Sequence, residues 1–205
     1  MSDTDGEAYF PKSSSQMGVE FIGLSDCTDG SLNSTSCQAV PQWSLDTFVD
    51  NHQIHGDIDI LSIDVEGYDY EVLMGSKRTL KRVKYLEFEI NQGGRWPEHS
   101  LEAAIDMLSE SGFACYWAGT AGHLWRITGC FVPLFENKYW SNVACVRLDN
   151  SFLATRMELV FQETLAANLT YENQWKDGTD GILSCGPPCR KEFRRQNKLL
   201  ADKKD

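Results

Sequence analysis

The sequence predicts an α/β fold whose central sheet is mostly parallel and ends with an antiparallel strand. Over residues 58–117, apolar β-branched runs alternate with amphipathic segments in the order strand, helix, strand, helix, strand. This order is typical of parallel strands joined by right-handed crossovers. Two further apolar runs, 124–135 and 142–148, have a loop between them, so the closing run can turn back antiparallel. Hydrophobic residues make up 41% of the 205 residues, which is enough for a core.

Local signals place the individual elements along the chain. Short apolar pieces at 8–10 and 19–24 predict edge strands joined by loops. Ser44 is expected to cap a short helix, and Ser100 to cap a longer helix that Gly112 ends. The other predicted elements are a mostly buried strand at 58–64, a helix at about 69–84, and strands at 85–90 and 113–117.

A change in character after residue 149 predicts two regions, a domain at 1–150 and a helical and loop appendage at 151–205. The appendage begins with an amphipathic helix at 151–168 and continues through a polar stretch rich in Gly and Pro. Residues 190–205 hold seven Lys or Arg and three acids. That excess is typical of a solvated helical tail, although an acidic partner or a membrane surface would also attract it.

The formal net charge of −11 excludes a general nucleic-acid binder, because an acidic surface repels phosphate. No run of about 18 apolar residues is present, so we expect no transmembrane segment in this chain. Residues 1–6 are polar and acidic, unlike a signal peptide. Composition alone leaves both an enzyme and a binding module open.

The seven cysteines fall into two groups. Three lie in apolar, strand-like runs and are predicted to be small core residues, namely Cys115, Cys130 and Cys145. Four lie in loops where disulfides are tolerated, namely Cys27, Cys37, Cys185 and Cys189. Two acceptor sequons, Asn33-Ser34-Thr35 and Asn168-Leu169-Thr170, are also compatible with a secreted protein. The compartment stays open between the cytoplasm and the lumen of the secretory pathway.

Polar residues end two neighbouring strands of the predicted sheet. Asp64-Val65-Glu66-Gly67 follows the first strand, and Glu89-Ile90-Asn91 closes the next. Ligands bind beyond the carboxyl ends of strands in open α/β sheets, so these tips predict the functional site. The alternative is local, with Asp64 or Glu66 capping the following helix and accepting hydrogen bonds from loop amides. No metal is predicted, because two candidate oxygens are too few to coordinate a divalent cation.

Three segments together carry a family pattern: residues 43–48, residues 59–75 with Asp64-Val65-Glu66-Gly67 at their centre, and residues 86–90. They resemble the FkbM family of S-adenosylmethionine-dependent methyltransferases. The resemblance covers roughly residues 1–148 and is most specific over 43–91. It implies a partial Rossmann-like sheet of the class I methyltransferase type, with S-adenosylmethionine as cofactor.

The same resemblance implies methylation of a hydroxyl on a sugar or another acceptor. Asp64 and Glu66 would then border the reacting methyl group, and Glu89 and Asn91 would orient the acceptor's hydroxyls. The family's glycine-rich cofactor loop has no counterpart in this sequence, and the Gly93-Gly94 pair is predicted to be a flexible rim. The resemblance therefore implies a fragment of a longer enzyme. The alternative is a non-catalytic half-domain that acts as a binding or interaction module.

Aromatic residues are frequent between 93 and 140, and two further candidate acceptor-binding residues lie there, Trp96 and His123. Flat rings beside carboxylates suit a glycan or another small polyhydroxy acceptor. His123 lies in a glycine-containing loop, where its imidazole can serve as a base. Core packing is the alternative for the rings, as is contact between copies of the chain in a homo-oligomer.

Overall fold

The computed structural model describes residues 1–11, 37–136 and 141–167. The strands are β1 (Gly6–Pro11), β2 (Cys37–Gln42), β3 (Ile58–Ile63), β4 (Val83–Ile90), β5 (Phe113–Ala118), β6 (Leu124–Arg126) and β7 (Ser141–Arg147). The helices are α1 (Leu45–Asn51), α2 (Asp69–Met74), α3 (Leu101–Glu110) and α4 (Ser151–Ala166). β1 and β2 form an antiparallel pair, and the other five strands form one sheet.

The five-stranded sheet is mixed, with the order β3–β4–β7–β5–β6. β3 and β4 are parallel, β7 is antiparallel to both β4 and β5, and β6 is antiparallel to β5. The α/β class is confirmed, but the mostly parallel sheet is not. The predicted closing strand, β7, does run antiparallel, but it lies between β4 and β5 and does not pair with β6, the strand before it in sequence. β3, β4 and β5 still end at one edge of the sheet, which we call the carboxyl edge.

Both predicted helix caps are confirmed. The hydroxyl of Ser44 accepts from the backbone N–H of Thr47 (3.1 Å), and that of Ser100 accepts from Ala103 (3.3 Å). At α3 the carboxylate of Glu136 also accepts from N–H groups of the first turn. These bonds satisfy donors that have no partner inside the helix.

The helix predicted at about 69–84 is wrong in length, because α2 ends at Met74. The carboxylate of Asp46, in α1, accepts from the backbone N–H groups of Arg78 and Thr79 (2.9 and 2.7 Å). Those contacts hold the chain in a short 3-10 turn after the helix, from which it passes directly into β4. A side chain more than thirty residues away thus sets where the helical pattern stops.

β3 is an edge strand, and the prediction that it is mostly buried is wrong. Among the described strands it pairs with β4 alone, and Ile60 is 68% exposed. Leu61 and Ile63 face the main core, whereas Ile60 lies beside Tyr85 on the opposite face. At this end of the sheet, neither the outer edge of β3 nor the surface around Ile60 is covered by the described residues.

The main core lies on the face of the sheet that packs against α2 and α3. Inside it a disulfide joins Cys115 of β5 to Cys145 of β7, which are register partners with 0% exposure. The predicted burial of these two residues is confirmed, but they are bonded to each other instead of acting as small apolar side chains. Cys37 and Cys130 are also disulfide-bonded.

Helix α4 covers the other face over β5, β6 and β7, so it packs against the sheet instead of standing apart from it. Phe161 contacts an apolar cluster that includes Tyr116, and Glu158 forms a buried ion pair with Arg126 (3.5 Å). The hydroxyl of Tyr116 donates to the same carboxylate (3.2 Å). The predicted division of the chain at residue 150 stays a prediction, although α4, the first helix after that boundary, packs on the sheet.

Some predictions concern residues outside the described ranges. They are the strand at 19–24, both sequons, the basic tail and three cysteines, namely Cys27, Cys185 and Cys189. Strand β2 was not predicted, because Pro41 and the polar residues around it lack the apolar alternation of a buried strand. Among helices of the described part, none has the length and apolar character needed to cross a membrane.

The buried pair in α4 can be tested against an exposed one. We expect Glu158→Ala to lower the free energy of unfolding by roughly 3–5 kcal/mol, because it leaves the Arg126 guanidinium buried without its carboxylate. Asp149→Ala, which breaks the pair of Arg147 with a largely exposed carboxylate, should cost about 1 kcal/mol or less. Urea denaturation followed by circular dichroism measures both, and equal losses would contradict the buried role of Glu158.

Candidate functional site

The turn between β3 and α2 carries the first predicted acidic tip. Glu66 and Gly67 both have positive φ, 54° and 90°, a conformation that is uncommon for a residue with a side chain. The chain therefore leaves the strand direction within two residues and enters α2 at Asp69. Asp64 is exposed and Glu66 is half-buried at the carboxyl edge.

The loop after β4 packs backbone to backbone on this turn. A Cβ placed on Gly67 would lie 2.5 Å from the carbonyl oxygen of Gly93, and one placed on Gly94 would lie 2.6 Å from the carbonyl carbon of Gly67. The N–H of Arg95 donates to the Gly67 carbonyl (3.0 Å). The Gly93-Gly94 pair, predicted as a flexible rim, is instead the contact that joins the two loops, and it leaves no space for a ligand between them.

Asp69 ties the turn to the end of β4. Its carboxylate is 0% exposed and accepts from the N–H of Gly67 (3.2 Å) and from the N–H of Glu89 (3.3 Å). β3 pairs with β4 only as far as Phe88, so the Glu89 N–H lies just beyond the parallel ladder. Burial raises the pKa of Asp69 to about 7, against the opposing effect of these hydrogen bonds.

Trp96 contacts the carbonyl group of Glu89, the residue whose N–H donates to Asp69. Its indole N–H donates to the Glu89 carbonyl (2.9 Å), and its ring stacks on Phe88. Because the residue is 0% exposed, it offers no ring face to an acceptor, so its predicted acceptor contact is corrected to a core role. Three other aromatic residues of the same region are buried as well, namely Tyr116, Trp117 and Trp125. Core packing, the alternative for these rings, is therefore what the structure supports.

Glu89 brings the remaining tip residues together. It is 8% exposed, and the side chains of Asp64, Glu66 and Asn91 lie near enough to its carboxyl group to affect its protonation. Burial and then the negative charge of Asp64 raise the pKa of Glu89, while the Asn91 amide opposes the rise. The side chain of Asn91 is itself held in place, since its amide oxygen Oδ1 accepts from the backbone N–H of Gly93 (2.8 Å).

We call Asp64, Glu66, Glu89 and Asn91 the tip cluster. It combines the exposed side chain of Asp64 and the half-buried one of Glu66 with the shielded carboxyl group of Glu89, which holds its proton more tightly than usual. An exposed carboxylate of this cluster can accept a proton, and the shielded carboxyl group can donate one. Within the described ranges, no three His, Cys, Asp or Glu side chains are arranged to hold a metal ion.

A second polar group, which the sequence did not reveal, joins α2 to the loop after β4. The Glu71 side chain is 6% exposed, and one of its oxygens contacts both Arg95 Nε (3.1 Å) and His99 Nε2 (2.9 Å). The His99 ring stacks on Tyr70 with centroids 3.8 Å apart. These contacts add charge pairing and ring stacking to the glycine contact between the two loops.

His123 lies at the opposite end of the carboxyl edge. It precedes β6, which is three strands from β4, a separation of roughly 14 Å at about 4.8 Å per strand. Its Nδ1 lies 3.4 Å from the hydroxyl of Thr164 in α4. The structure therefore does not bring His123 together with the tip cluster.

A comparison with protein families matches residues 5–115 to the methyltransferase FkbM domain. This match covers more than half of the chain. The chain belongs to the FkbM methyltransferase family. Membership indicates methyltransferase activity in general and implies a methyl donor. The whole tip cluster lies inside the matched segment, whereas His123 lies beyond it. No curated protein and no solved structure matches this FkbM chain.

Sequence reasoning missed Asp69 and Glu71 as parts of this region. In the sequence alone, both have the position of acids that complement the dipole at the start of a helix, which is the usual role of acids there. A signal was present for Asp69, which lies three and four residues before Val72 and Leu73 and therefore on the apolar face of the helix. Their partners, Glu89 and Arg95, could not be found from local spacing.

Asp69 makes stability depend on pH in a direction that can be measured. Its pKa of about 7 in the folded chain exceeds the ordinary value of 3.8, so the folded state binds this proton more tightly than the unfolded state. The free energy of unfolding should therefore fall as pH rises from about 4 to about 7, at up to about 1.4 kcal/mol per pH unit. Asp69→Asn should remove that part of the slope.

Asp46 provides a matched control, because its pKa is shifted in the opposite direction. Burial raises its pKa, but hydrogen bonds from Thr79 and Arg78 outweigh burial and leave it below the ordinary value. Its contribution is present above about pH 4 and is lost as pH falls, so Asp46→Asn should flatten the acid side of the profile. Urea denaturation across pH measures both variants. An Asp69→Asn profile parallel to that of the parent chain would contradict the assignment.

The glycine contact is tested by two alanine variants with similar backbone angles. Gly67 and Gly112 have φ of 90° and 88°, but only a Cβ at Gly67 meets other atoms within 4 Å. Gly112→Ala should cost only the left-handed strain, about 1 kcal/mol, whereas Gly67→Ala adds the collision with the Gly93 carbonyl and should cost clearly more. Thermal unfolding compares them, and equal losses would show that the two loops do not need close contact.

Proposed function

We propose that this chain belongs to an S-adenosylmethionine-dependent enzyme that methylates a hydroxyl group on a sugar or a similar acceptor at the tip cluster. The observation that carries the proposal is that Asp64 and Asn91 lie beside the shielded Glu89 carboxyl where two parallel strands end. Carboxyl ends of strands are where open α/β sheets bind ligands. The family match supplies the reaction class.

The tip cluster suits the positive end of such a methyl donor. Asp64, Glu66 and Glu89 place acidic groups together, and burial, followed by this crowding, raises the pKa of Glu89. A nearby positive sulfur would relieve that repulsion. S-adenosylmethionine, when bound, supplies a methyl group whose bond to sulfur breaks as its bond to the acceptor oxygen forms. Residues that would anchor the rest of the donor are not found in the described part of the chain.

Each residue of the tip cluster then has a distinct task. Asp64 is the exposed carboxylate and takes the proton that the acceptor hydroxyl loses. Glu66 borders the reacting groups at the same turn, while Glu89 and Asn91 orient the acceptor's hydroxyls through their carboxyl and amide groups. Asp69 and Trp96 hold the Glu89 peptide from both sides, so the alignment does not depend on the exposed side chains alone.

The sheet itself supports the proposal that these residues are a fragment of a longer enzyme. Its edge strand β3 offers unpaired backbone groups, and Ile60 is 68% exposed on a face that no described helix covers. In this proposal the mixed sheet is one half of a Rossmann-like methyltransferase sheet, and further strands of the same enzyme add beside β3.

The same open edge favours a second candidate function, a non-catalytic half-domain that binds a partner by strand addition. The two candidates differ in what they bind. A binding module pairs through β3 and takes up no S-adenosylmethionine in any form. The enzyme binds it once the strands beside β3 are present, which calorimetry with chains extended at either end would detect.

The catalytic assignment is tested in the longest natural form of the protein. We expect Asp64→Asn to lower kcat by roughly 100-fold or more, because the amide cannot accept the hydroxyl proton. Glu89→Gln should lower it as well, through loss of acceptor alignment. Asp59→Asn is the matched control, because Asp59 lies on the same strand away from the carboxyl edge and should leave turnover unchanged.

The measurement is transfer of labelled methyl from S-adenosylmethionine to a panel of monosaccharides and oligosaccharides. Unchanged turnover in Asp64→Asn would remove that residue from the role of base. If the extended chain neither binds S-adenosylmethionine nor transfers label, the binding module is the better account of this chain.

A further inference from the structure

Every cysteine that the described residues include is disulfide-bonded. These cysteines are Cys37, Cys115, Cys130 and Cys145. Cytosolic thiols are kept reduced by thioredoxin and glutathione, so several structural disulfides in one chain are typical of oxidising compartments. The sequence alone leaves the compartment open between the cytoplasm and the lumen of the secretory pathway.

The best-defined bond lies at the centre of the fold. Cys115 and Cys145 face each other across β5 and β7, thirty residues apart in sequence and fully buried. Because β7 sits between β4 and β5, this bond holds the strand that connects the two halves of the sheet. It lies in the same core that α3 covers, where reductants have no direct access.

Oxidation is not confined to that one facing pair. Cys37 begins β2 in the separate two-stranded sheet, and Cys130 follows β6 at the far end of the main sheet. Chance contact of two core thiols would explain the central bond alone. Bonded cysteines in three separate regions indicate that the chain folds where thiols are generally oxidised.

We infer that this protein folds and works in an oxidising compartment, and that its acceptor is a hydroxyl compound on the lumenal or extracellular side, such as an exported glycan. The acceptor part of the inference rests on the proposed function; the compartment part does not. The two sequons of the sequence are compatible with the same compartment.

The test traps thiols before the cell is opened. Source cells are treated with N-ethylmaleimide, the full chain is purified under denaturing conditions without reductant, and its peptides are identified by mass spectrometry. The peptides of Cys115 and Cys145 should remain joined, and the joined form should exceed the alkylated form by at least about 100-fold, as for structural disulfides of secreted proteins. Cys115 and Cys145 found mainly as alkylated thiols would overturn the inference.

A Cys145→Ala variant expressed in the same cells is the matched control. It leaves Cys115 without its register partner, so Cys115 should take up N-ethylmaleimide once the protein is unfolded. This shows that a free thiol at that position is detected. If the parent chain and Cys145→Ala were labelled equally at Cys115, the central bond would not exist in cells.

The outcome is independent of methyl transfer. Closed disulfides with no transfer to any hydroxyl acceptor would support the compartment and remove the proposed reaction. Methyl transfer by a chain in which Cys37, Cys115, Cys130 and Cys145 are all alkylated would support the proposed reaction and overturn the compartment. When both results are positive, exported and cytosolic glycans are compared as acceptors, and preference for cytosolic ones would overturn the acceptor class.

Discussion

The carboxylate of Asp69 is the contact on which the candidate site depends. It accepts one N–H from the turn after β3 and one from the end of β4, so it sets the distance between the two acidic tips. A buried carboxylate is costly, and two backbone donors offset only part of that cost, as its raised pKa shows. The glycine contact and the pairing of Glu71 with Arg95 and His99 close the same two loops around it. Together they make the turn and the loop after β4 one unit, from which the side chains of the tip cluster project.

Features that depend on neighbours in sequence could be predicted, and those that depend on distant strands could not. Both helix caps follow from a hydroxyl placed before an amphipathic run, and the tip residues follow from where apolar runs end. The length of α2 depends on Asp46, and the exposure of Ile60 depends on β3 lying at an edge. The place of β7 in the middle of the sheet is likewise a matter of strand order, which alternation of apolar and polar residues does not encode.

The site shows the same division between local and distant information. Asp64, Glu66, Glu89 and Asn91 meet because two parallel strands end together, a consequence of topology that was predicted. Trp96 was assigned to an acceptor because flat rings beside carboxylates suit a polyhydroxy compound, yet its indole N–H donates to the Glu89 carbonyl and its ring joins the core. Glu71 could not be predicted as part of the site, because an acid in the first turn of a helix has the same sequence pattern whether it is solvated or buried. Only its partners, 24 and 28 residues farther along the chain, distinguish the two cases.

The two ends of the sheet are stabilised in different ways, and this difference bears on function. At the β5–β6–β7 end, a central disulfide and the buried contacts of Glu158 with Arg126 and Tyr116 hold the strands and α4 together. At the β3–β4 end, the edge strand has one partner and an exposed isoleucine, and the tip cluster gathers like charges. Regions that bind ligands are often the less stable part of a domain, because binding then supplies what local packing lacks. A cation or a strand that occupies the β3 end would relieve its charge repulsion or satisfy its open backbone, so the proposed site lies at the end of the sheet that has fewer stabilising contacts.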